Sequence, residues 1–194
     1  MSFKFCLGTK NPNKVKEIHD ILKDFNPEII LPVNRNFPDE GGKTFAENAL
    51  IKALFVAQQY PCMYAVAEDS GLVVPALNGM PGIFSSRFAG PNANDRKNIE
   101  KLLKYLEDEN NRQAYFVCTV ALVSPSGERK FFEGRLYGVI ARKPRGQSGF
   151  GYDPIFEIPE INKTLGEISS DEKNRISHRA KAFLQLAEYL SKAV

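Results

Sequence analysis

The chain has 194 residues, of which 43% are hydrophobic and 25% charged, with 26 basic and 23 acidic residues for a net charge of +3. This profile excludes a disordered tail, and the mixed charge excludes the strongly basic surface of a nucleic-acid-binding protein. Cys6, Cys62 and Cys118 are widely spaced and form no CxxC or Cys/His cluster. Neither a disulfide framework nor a zinc site is therefore expected, and reduced cysteines packed in strands are.

Met1-Ser2-Phe3-Lys4-Phe5 is expected to enter a strand directly, without a signal peptide. No apolar run approaches the length needed to cross a membrane, so the expected location is the cytoplasm and no membrane partner is expected. Residues 3–7 read as a short strand, followed by the polar turn Gly8-Thr9-Lys10-Asn11-Pro12-Asn13-Lys14. Val15, Ile18, Ile21, Leu22 and Phe25 then recur at helical spacing. A strand, a polar loop, a lysine and a helix start can bind phosphate through amides and the positive helix end. The spacing is not that of a P-loop, and an ordinary turn with an Asx or Thr cap fits this segment as well.

Residues 28–31 read as a second strand, and residues 32–43 as a polar loop containing Asp39-Glu40-Gly41-Gly42. Its two acids read either as metal ligands or as solvated loop charges. Thr44-Phe45-Ala46-Glu47 has the capping-box pattern of a helix running to about Tyr60, with Leu50, Ala53, Leu54 and Ala57 inward and Lys52 toward solvent. Ala65-Val66-Ala67-Glu68-Asp69-Ser70-Gly71 reads as a buried strand ending at Glu68, where Gly71 frees the chain to turn. Two adjacent carboxylates there suggest metal or proton chemistry, because like charges placed together need neutralising, although a polar strand end capped by a turn has the same pattern.

Residues 94–106 read as an amphipathic helix with Ile99, Leu102, Leu103 and Leu106 as its stripe. Residues 114–124 and 130–142 read as an antiparallel hairpin. Gly149-Phe150-Gly151-Tyr152-Asp153-Pro154 sets exposed aromatics among glycines, which suits stacking on a flat ligand. A flexible loop with buried aromatic anchors is the alternative. Residues 155–158 read as the last strand, and Ser169 with Glu172 as the cap of one final helix. On that helix Lys173 and Ser177 share a face, flanked by His178 and Arg179.

Five motifs therefore occur in order: Thr9-Lys10-Asn11-Pro12-Asn13-Lys14, Thr44-Phe45-Ala46-Glu47-Asn48-Ala49, Ala67-Glu68-Asp69-Ser70-Gly71-Leu72, Gly149-Phe150-Gly151-Tyr152-Asp153-Pro154 and Ser177-His178-Arg179. Together they resemble the inosine triphosphate pyrophosphatase family, which hydrolyses non-standard purine nucleoside triphosphates such as ITP, dITP and XTP. The resemblance spans nearly the whole chain. It implies an α/β fold with a long mixed central sheet flanked by helices, and two lobes with the active-site cleft between them. It also implies a single domain over residues 1–194, a homodimer and a purine nucleoside triphosphate substrate cleaved with Mg2+.

By the same resemblance, Thr9, Lys10, Asn11, Pro12, Asn13 and Lys14 form the triphosphate loop. Asp69 is the catalytic aspartate, acting as general base or as a magnesium ligand. Glu40 stands where the family has an acidic metal ligand, with Asp39 the adjacent alternative. Lys52 and Ser70 contact phosphate. Phe150 stacks on the purine, Gly151, Tyr152 and Asp153 complete the pocket, and Lys173, His178 and Arg179 read the base, chiefly its 6-oxo group. Glu68 departs from the aspartate found in many relatives. A Maf-like pyrophosphatase of pyrimidine or modified nucleotides is a second reading, opposed by the Gly-Phe-Gly-Tyr-Asp and Ser-His-Arg motifs. A nucleotide- or RNA-binding module is a third, opposed by carboxylates beside the proposed phosphate loop, which a pure anion binder does not need.

Overall fold

The structure is a computed structural model that describes residues 3–193; Met1 and Ser2, expected to lead into the first strand, lie outside the described residues. In chain order the elements are β1 (Lys4–Gly8), α1 (Pro12–Leu22), β2 (Glu28–Ile30), α2 (Phe45–Gln59), β3 (Tyr64–Val73), α3 (Asp95–Tyr105), β4 (Gln113–Val123), β5 (Arg129–Ile140), β6 (Phe156–Ile158), β7 (Lys163–Thr164), α4 (Ser170–Ile176) and α5 (His178–Ala193). The strands form one open, mixed sheet in the order β2-β1-β3-β4-β5-β6-β7. β1 lies parallel to both β2 and β3, whereas β6 runs antiparallel to β5 and β7. The α/β class with a mixed central sheet and flanking helices is as the sequence predicts.

The described residues form two compact units, one drawn from residues 3–69, 118–134 and 177–193 and the other from residues 70–117 and 135–176. β3, β4 and β5 each contribute residues to both. In the first unit the strands are covered on both faces, which is why they read as near-continuous apolar runs. Phe5, Leu7 and Val66 pack with Ile18, Ile21 and Leu22 of α1 and Phe183, Leu186 and Leu190 of α5. On the opposite face Cys6, Ala65 and Ala67 pack with Ala49, Ala53 and Val56 of α2. Small strand residues let α2 lie close to the sheet. The second unit has its own core, in which Leu72, Leu102, Phe116, Phe156 and Leu165 are buried together.

Several predicted boundaries move. β3 does not end at Glu68 but continues to Val73, with Gly71 inside the strand. Its register with β1 ends at Gly8↔Ala67, so β1 stops while β3 keeps β4 as its other neighbour. Glu68 and Asp69 are thus the first two residues past the end of the parallel pair. The predicted final helix is two helices. Ser177 breaks it by capping α5, its Oγ accepting the Ala180 N–H at 3.0 Å. Residues 155–158 are not the last strand, because the two-residue β7 follows. Cys6 and Cys118 are buried in strands as expected, but Cys62 is exposed outside them.

The caps explain the remaining boundaries. Thr44 accepts from Glu47 N–H as predicted, but the Glu47 carboxylate reaches the Lys43 N–H rather than that of Thr44. Ser169 and Glu172 cap each other reciprocally at the start of α4. Asn94 caps α3 through the Lys97 N–H.

Candidate active site

The site residues of the first unit are built on the carboxyl end of the parallel β1–β3 pair. Strand side chains alternate faces, so the adjacent acids Glu68 and Asp69 do not form one cluster. Glu68 follows Val66 toward α1 and α5, and Asp69 follows Ala65 and Ala67 toward α2.

Glu68 is buried among cations. Lys14 Nζ lies 2.8 Å from its Oε1 and Arg179 Nη2 lies 3.5 Å from the same atom. The Cys118 thiol donates weakly to Oε2 at 3.6 Å. Burial alone would raise the Glu68 pKa, but the charges of Lys14, Arg179 and Lys52 outweigh it and hold the carboxyl well below its usual range. Arg179 is itself buried and donates through Nη1 to Glu17 of α1. Burial disfavours its charge, yet Glu68 and Glu17 raise its pKa further.

Asp69 faces a different set. Lys52 Nζ lies 3.2 Å from Oδ1, and Asn48 Nδ2 donates to Oδ2 at 3.3 Å. Lys52 also donates to Glu40 Oε1 at 2.7 Å. Burial pushes the Asp69 pKa up, and the negative charges of Glu40 and Glu68 add to it against the pull of Lys52 and Lys14. Burial works against the charge on Lys52, but Asp69, Glu68 and Glu40 raise its pKa. Lys52 is 8% exposed, which corrects its expected solvent placement. The buried stripe of α2 is Asn48, Ala49, Lys52, Ala53 and Val56, rotated from the predicted one. Of the two adjacent acids in the loop, Asp39 is exposed, while Glu40 is half-buried and reaches Lys52.

The loop entering α1 is a capped turn. Asn11 Oδ1 accepts from the Asn13 and Lys14 N–H groups, and Thr9 Oγ1 accepts from Asn11 N–H. Pro12 occupies the first helical turn, where its missing N–H costs nothing. These amides are satisfied locally, as in the Asx-turn reading. The cations are what the segment contributes: Lys14 to Glu68, and Lys10 at 5.8 Å over the Phe37 ring.

Phe150, Gly151, Tyr152, Asp153 and Lys173, the residues expected to hold the purine, lie in the second unit. Asp153, 2% exposed, pairs with Lys173 Nζ and accepts from Phe150 N–H at 2.9 Å. Lys173 Nζ sits 4.7 Å from the Phe150 ring centroid. Asp95 accepts from Gly151 N–H at 2.7 Å. Gly149 has φ 76°, and a Cβ there would collide with the Asp153 carboxylate, so the loop needs glycine at that position. Phe150 remains half-buried. Tyr152 is not an exposed stacking ring: it is 4% exposed, and its hydroxyl donates to Ser85 O at 2.8 Å. Burial raises its pKa well above the ordinary value, with the Asp95 charge adding to the effect.

The structure thus brings together Lys14, Glu68 and Arg179, then Glu40, Lys52 and Asp69, and separately Phe150, Asp153 and Lys173. It does not place Lys173 and Ser177 on one helical face, because Ser177 ends α4 and caps α5. Ser70 follows Asp69 on β3 and is half-buried, and His178 is buried at the start of α5. Sequence reading missed three residues that hold these groups in place: Asn48, Glu17 and Asp95. Only Asn48 carried a signal, as a polar residue on a stripe of alanines inside a helix.

A buried carboxylate–lysine array at the carboxyl end of parallel strands marks an α/β protein suited to phosphate and divalent-cation chemistry. The chain belongs to the Ham1 family, whose profile matches residues 5–189. It is 46% identical over 185 residues to the dITP/XTP pyrophosphatase of Staphylococcus epidermidis, covering 95% of this chain and 94% of that one. It is also 46% identical over 198 residues to the dITP/XTP pyrophosphatase of Clostridium perfringens, covering 96% and 97%. Among solved structures, a HAM1 protein from Coxiella burnetii superposes with a TM-score of 0.89 at 42% identity, covering 98% of this chain and 99% of that chain. The Staphylococcus aureus Ham1 protein gives 0.88 at 39% identity, covering 98% and 100%. The family resemblance drawn from the five motifs is borne out.

Proposed function

We propose that the chain hydrolyses non-standard purine nucleoside triphosphates, ITP, dITP and XTP, to the monophosphate and pyrophosphate. The observation that carries the reading is Lys52 gripped by both Glu40 and Asp69, at 2.7 and 3.2 Å. Two carboxylates converging on one cation are the donor set that magnesium takes from a protein when phosphate oxygens supply the rest. Glu40 and Asp69 would hold the ion. When bound, it would neutralise charge on the phosphates and polarise the bond that breaks.

The chain's own residues have distinct roles in this proposal. Lys14 and Lys52 balance the triphosphate charge, with Thr9, Lys10, Asn11, Pro12, Asn13 and Ser70 lining the phosphate subsite. Asp69 takes the proton from the water that attacks the α-phosphorus, and pyrophosphate leaves. Phe150 stacks on the purine, with Gly151, Tyr152 and Asp153 shaping and anchoring its loop.

Lys173, His178 and Arg179 are the proposed donors to the 6-oxo group. They are 4%, 4% and 2% exposed. A buried donor facing the 6-amino group of adenine loses its partner, at about 1–3 kcal/mol each, so two mismatches give roughly a hundredfold or more. Replacing Phe150 with alanine should raise KM for dITP about five- to a hundredfold, with a smaller change in kcat, since base–aromatic stacking is worth about 1–3 kcal/mol. Steady-state kinetics with unchanged KM would move the purine elsewhere.

Both units are proposed to make one catalytic domain, because neither is built from a contiguous stretch of chain. The homodimer rests on the family resemblance. Among the described residues no helix is long and apolar enough to cross a membrane. A cytoplasmic location is proposed because nucleotide pools reside there. Product analysis tests the reaction: dITP with magnesium should yield deoxyinosine monophosphate and pyrophosphate. Deoxyinosine diphosphate and phosphate as products would overturn the assignment.

A further inference from the structure

We propose that Asn48 is a positioning residue that latches the loop bearing Glu40 to the strand bearing Asp69, and so sets the separation of the two carboxylates assigned to magnesium. The inference rests on that assignment. Asn48 has no exposed surface and lies in the first turns of α2. A primary amide offers one acceptor oxygen and a donor nitrogen, and here both ends are used. Oδ1 accepts the Gly42 N–H at 2.9 Å, and Nδ2 donates to Asp69 Oδ2 at 3.3 Å. The partners fix the amide's orientation, because a backbone N–H only donates and a carboxylate only accepts.

Gly42 makes the latch possible. A Cβ at that position would lie 2.6 Å from Asn48 Oδ1, 2.7 Å from Glu47 Cβ and 3.0 Å from Asn48 N. Two of these three atoms are fixed to the helix backbone, so a side chain at residue 42 would push the loop away. Glu40, two residues earlier, is therefore tied to Asp69 by two routes. One runs through Lys52, the other through Gly42 and Asn48.

The two ties respond differently to a metal. A divalent cation held by Glu40 and Asp69 would compete with the Lys52 ammonium for the same carboxylates, so that tie would weaken. The Asn48 amide is neutral and does not compete. It is the tie that persists, and groups that orient a ligand carboxylate typically carry about 10–100-fold in metal affinity.

The test compares wild type, Asn48→Ala and Gly42→Ala. Mn2+ is titrated into each protein, with and without the α,β-imido analogue of dITP, and followed by loss of the free-ion EPR signal. The Mg2+ dependence of pyrophosphate release and the thermal midpoint are measured alongside. Both variants should raise the Mn2+ dissociation constant and the half-saturating Mg2+ about tenfold or more. Asn48→Ala takes a partner from the half-buried Gly42 N–H and from the buried Asp69 carboxylate, whereas Gly42→Ala keeps every polar side chain and carries the test if the former does not fold. A folded variant with a lowered thermal midpoint and wild-type metal dependence would overturn the latch. Wild-type protein that releases no pyrophosphate would overturn the functional reading instead, and the Mn2+ titration would still decide the latch.

Discussion

Replacing Asp69 with asparagine should lower kcat for dITP by about 10²–10⁴, the range that a positioned general base contributes. Nucleotide binding should fall less than kcat, because Lys14 and Phe150 make no bond to Asp69. The same variant should keep its fold. The Asp69 pKa is raised in the folded protein, chiefly by burial and then by the charges of Glu40 and Glu68. A raised acid favours folding when protonated and loses that contribution as pH rises through its folded pKa. The neutral amide avoids that loss, but it gives up the ion pair with Lys52 at 3.2 Å and must turn its oxygen toward the Asn48 Nδ2. Low activity with a thermal midpoint close to that of wild type is the expected signature. Near-normal turnover would remove Asp69 from the mechanism.

The neighbouring acid should behave in the opposite way. Replacing Glu68 with alanine should destabilise the protein by about 3–5 kcal/mol, because it leaves Lys14 and Arg179 without their shared buried counter-charge. For a chain of this length that is a fall of about 6–20 °C in the thermal midpoint. The Glu68 pKa is depressed from its ordinary 4.5, burial being outweighed by Lys14, Arg179 and Lys52. A depressed acid contributes stability above its unfolded pKa and loses it as pH falls toward its folded pKa. Wild-type stability should thus decline below about pH 4.5, and Glu68→Gln, which has no carboxylate to titrate, should decline less steeply over that range. Denaturant titrations at several pH values check this. An alanine variant as stable as wild type would mean that the ion-pair chain is worth little.

Two acids adjacent in the chain thus have pKa values pushed apart by opposite faces of one strand. The sequence shows the acids but not the split, because the strand was expected to end at Glu68. Side-chain alternation assigns faces only while a strand continues, and β3 continues to Val73. Lys52 was misplaced for a related reason. Its charge argued for solvent, but it shares a helical stripe with Ala49, Ala53 and Val56, and Asp69 and Glu40 compensate it there. That compensation comes from residues distant in sequence, so no local pattern reveals it. Glu17 was invisible in the same way: on an amphipathic helix it reads as an ordinary surface acid until α5 delivers Arg179 to it.

The caps, by contrast, were legible, because capping is a local hydrogen-bond exchange within a few residues. Thr44 and Ser169 sit where their spacing to Glu47 and Glu172 requires. The hairpin of β4 and β5 was legible for the same reason, its turn closing from Ser124 to Glu128. Ser177 was the exception. Its role as the cap of α5 depends on the chain turning after Ile176, and the polar run from Lys173 to Lys181 hid the break. In the Gly-Phe-Gly-Tyr-Asp loop each of the two readings, stacking ring and buried anchor, fits one of the aromatics. Phe150 stays half-buried beside Lys173, while Tyr152 is an anchor in the core.

In the proposed reaction, buried donors select a 6-oxo purine for hydrolysis at the α-phosphorus. The most direct measurement is kcat/KM for pyrophosphate release from dITP and from dATP, side by side with magnesium. A ratio of roughly a hundredfold or more in favour of dITP is predicted. Equal values for the two nucleotides would mean that the buried donors do not read the 6-position.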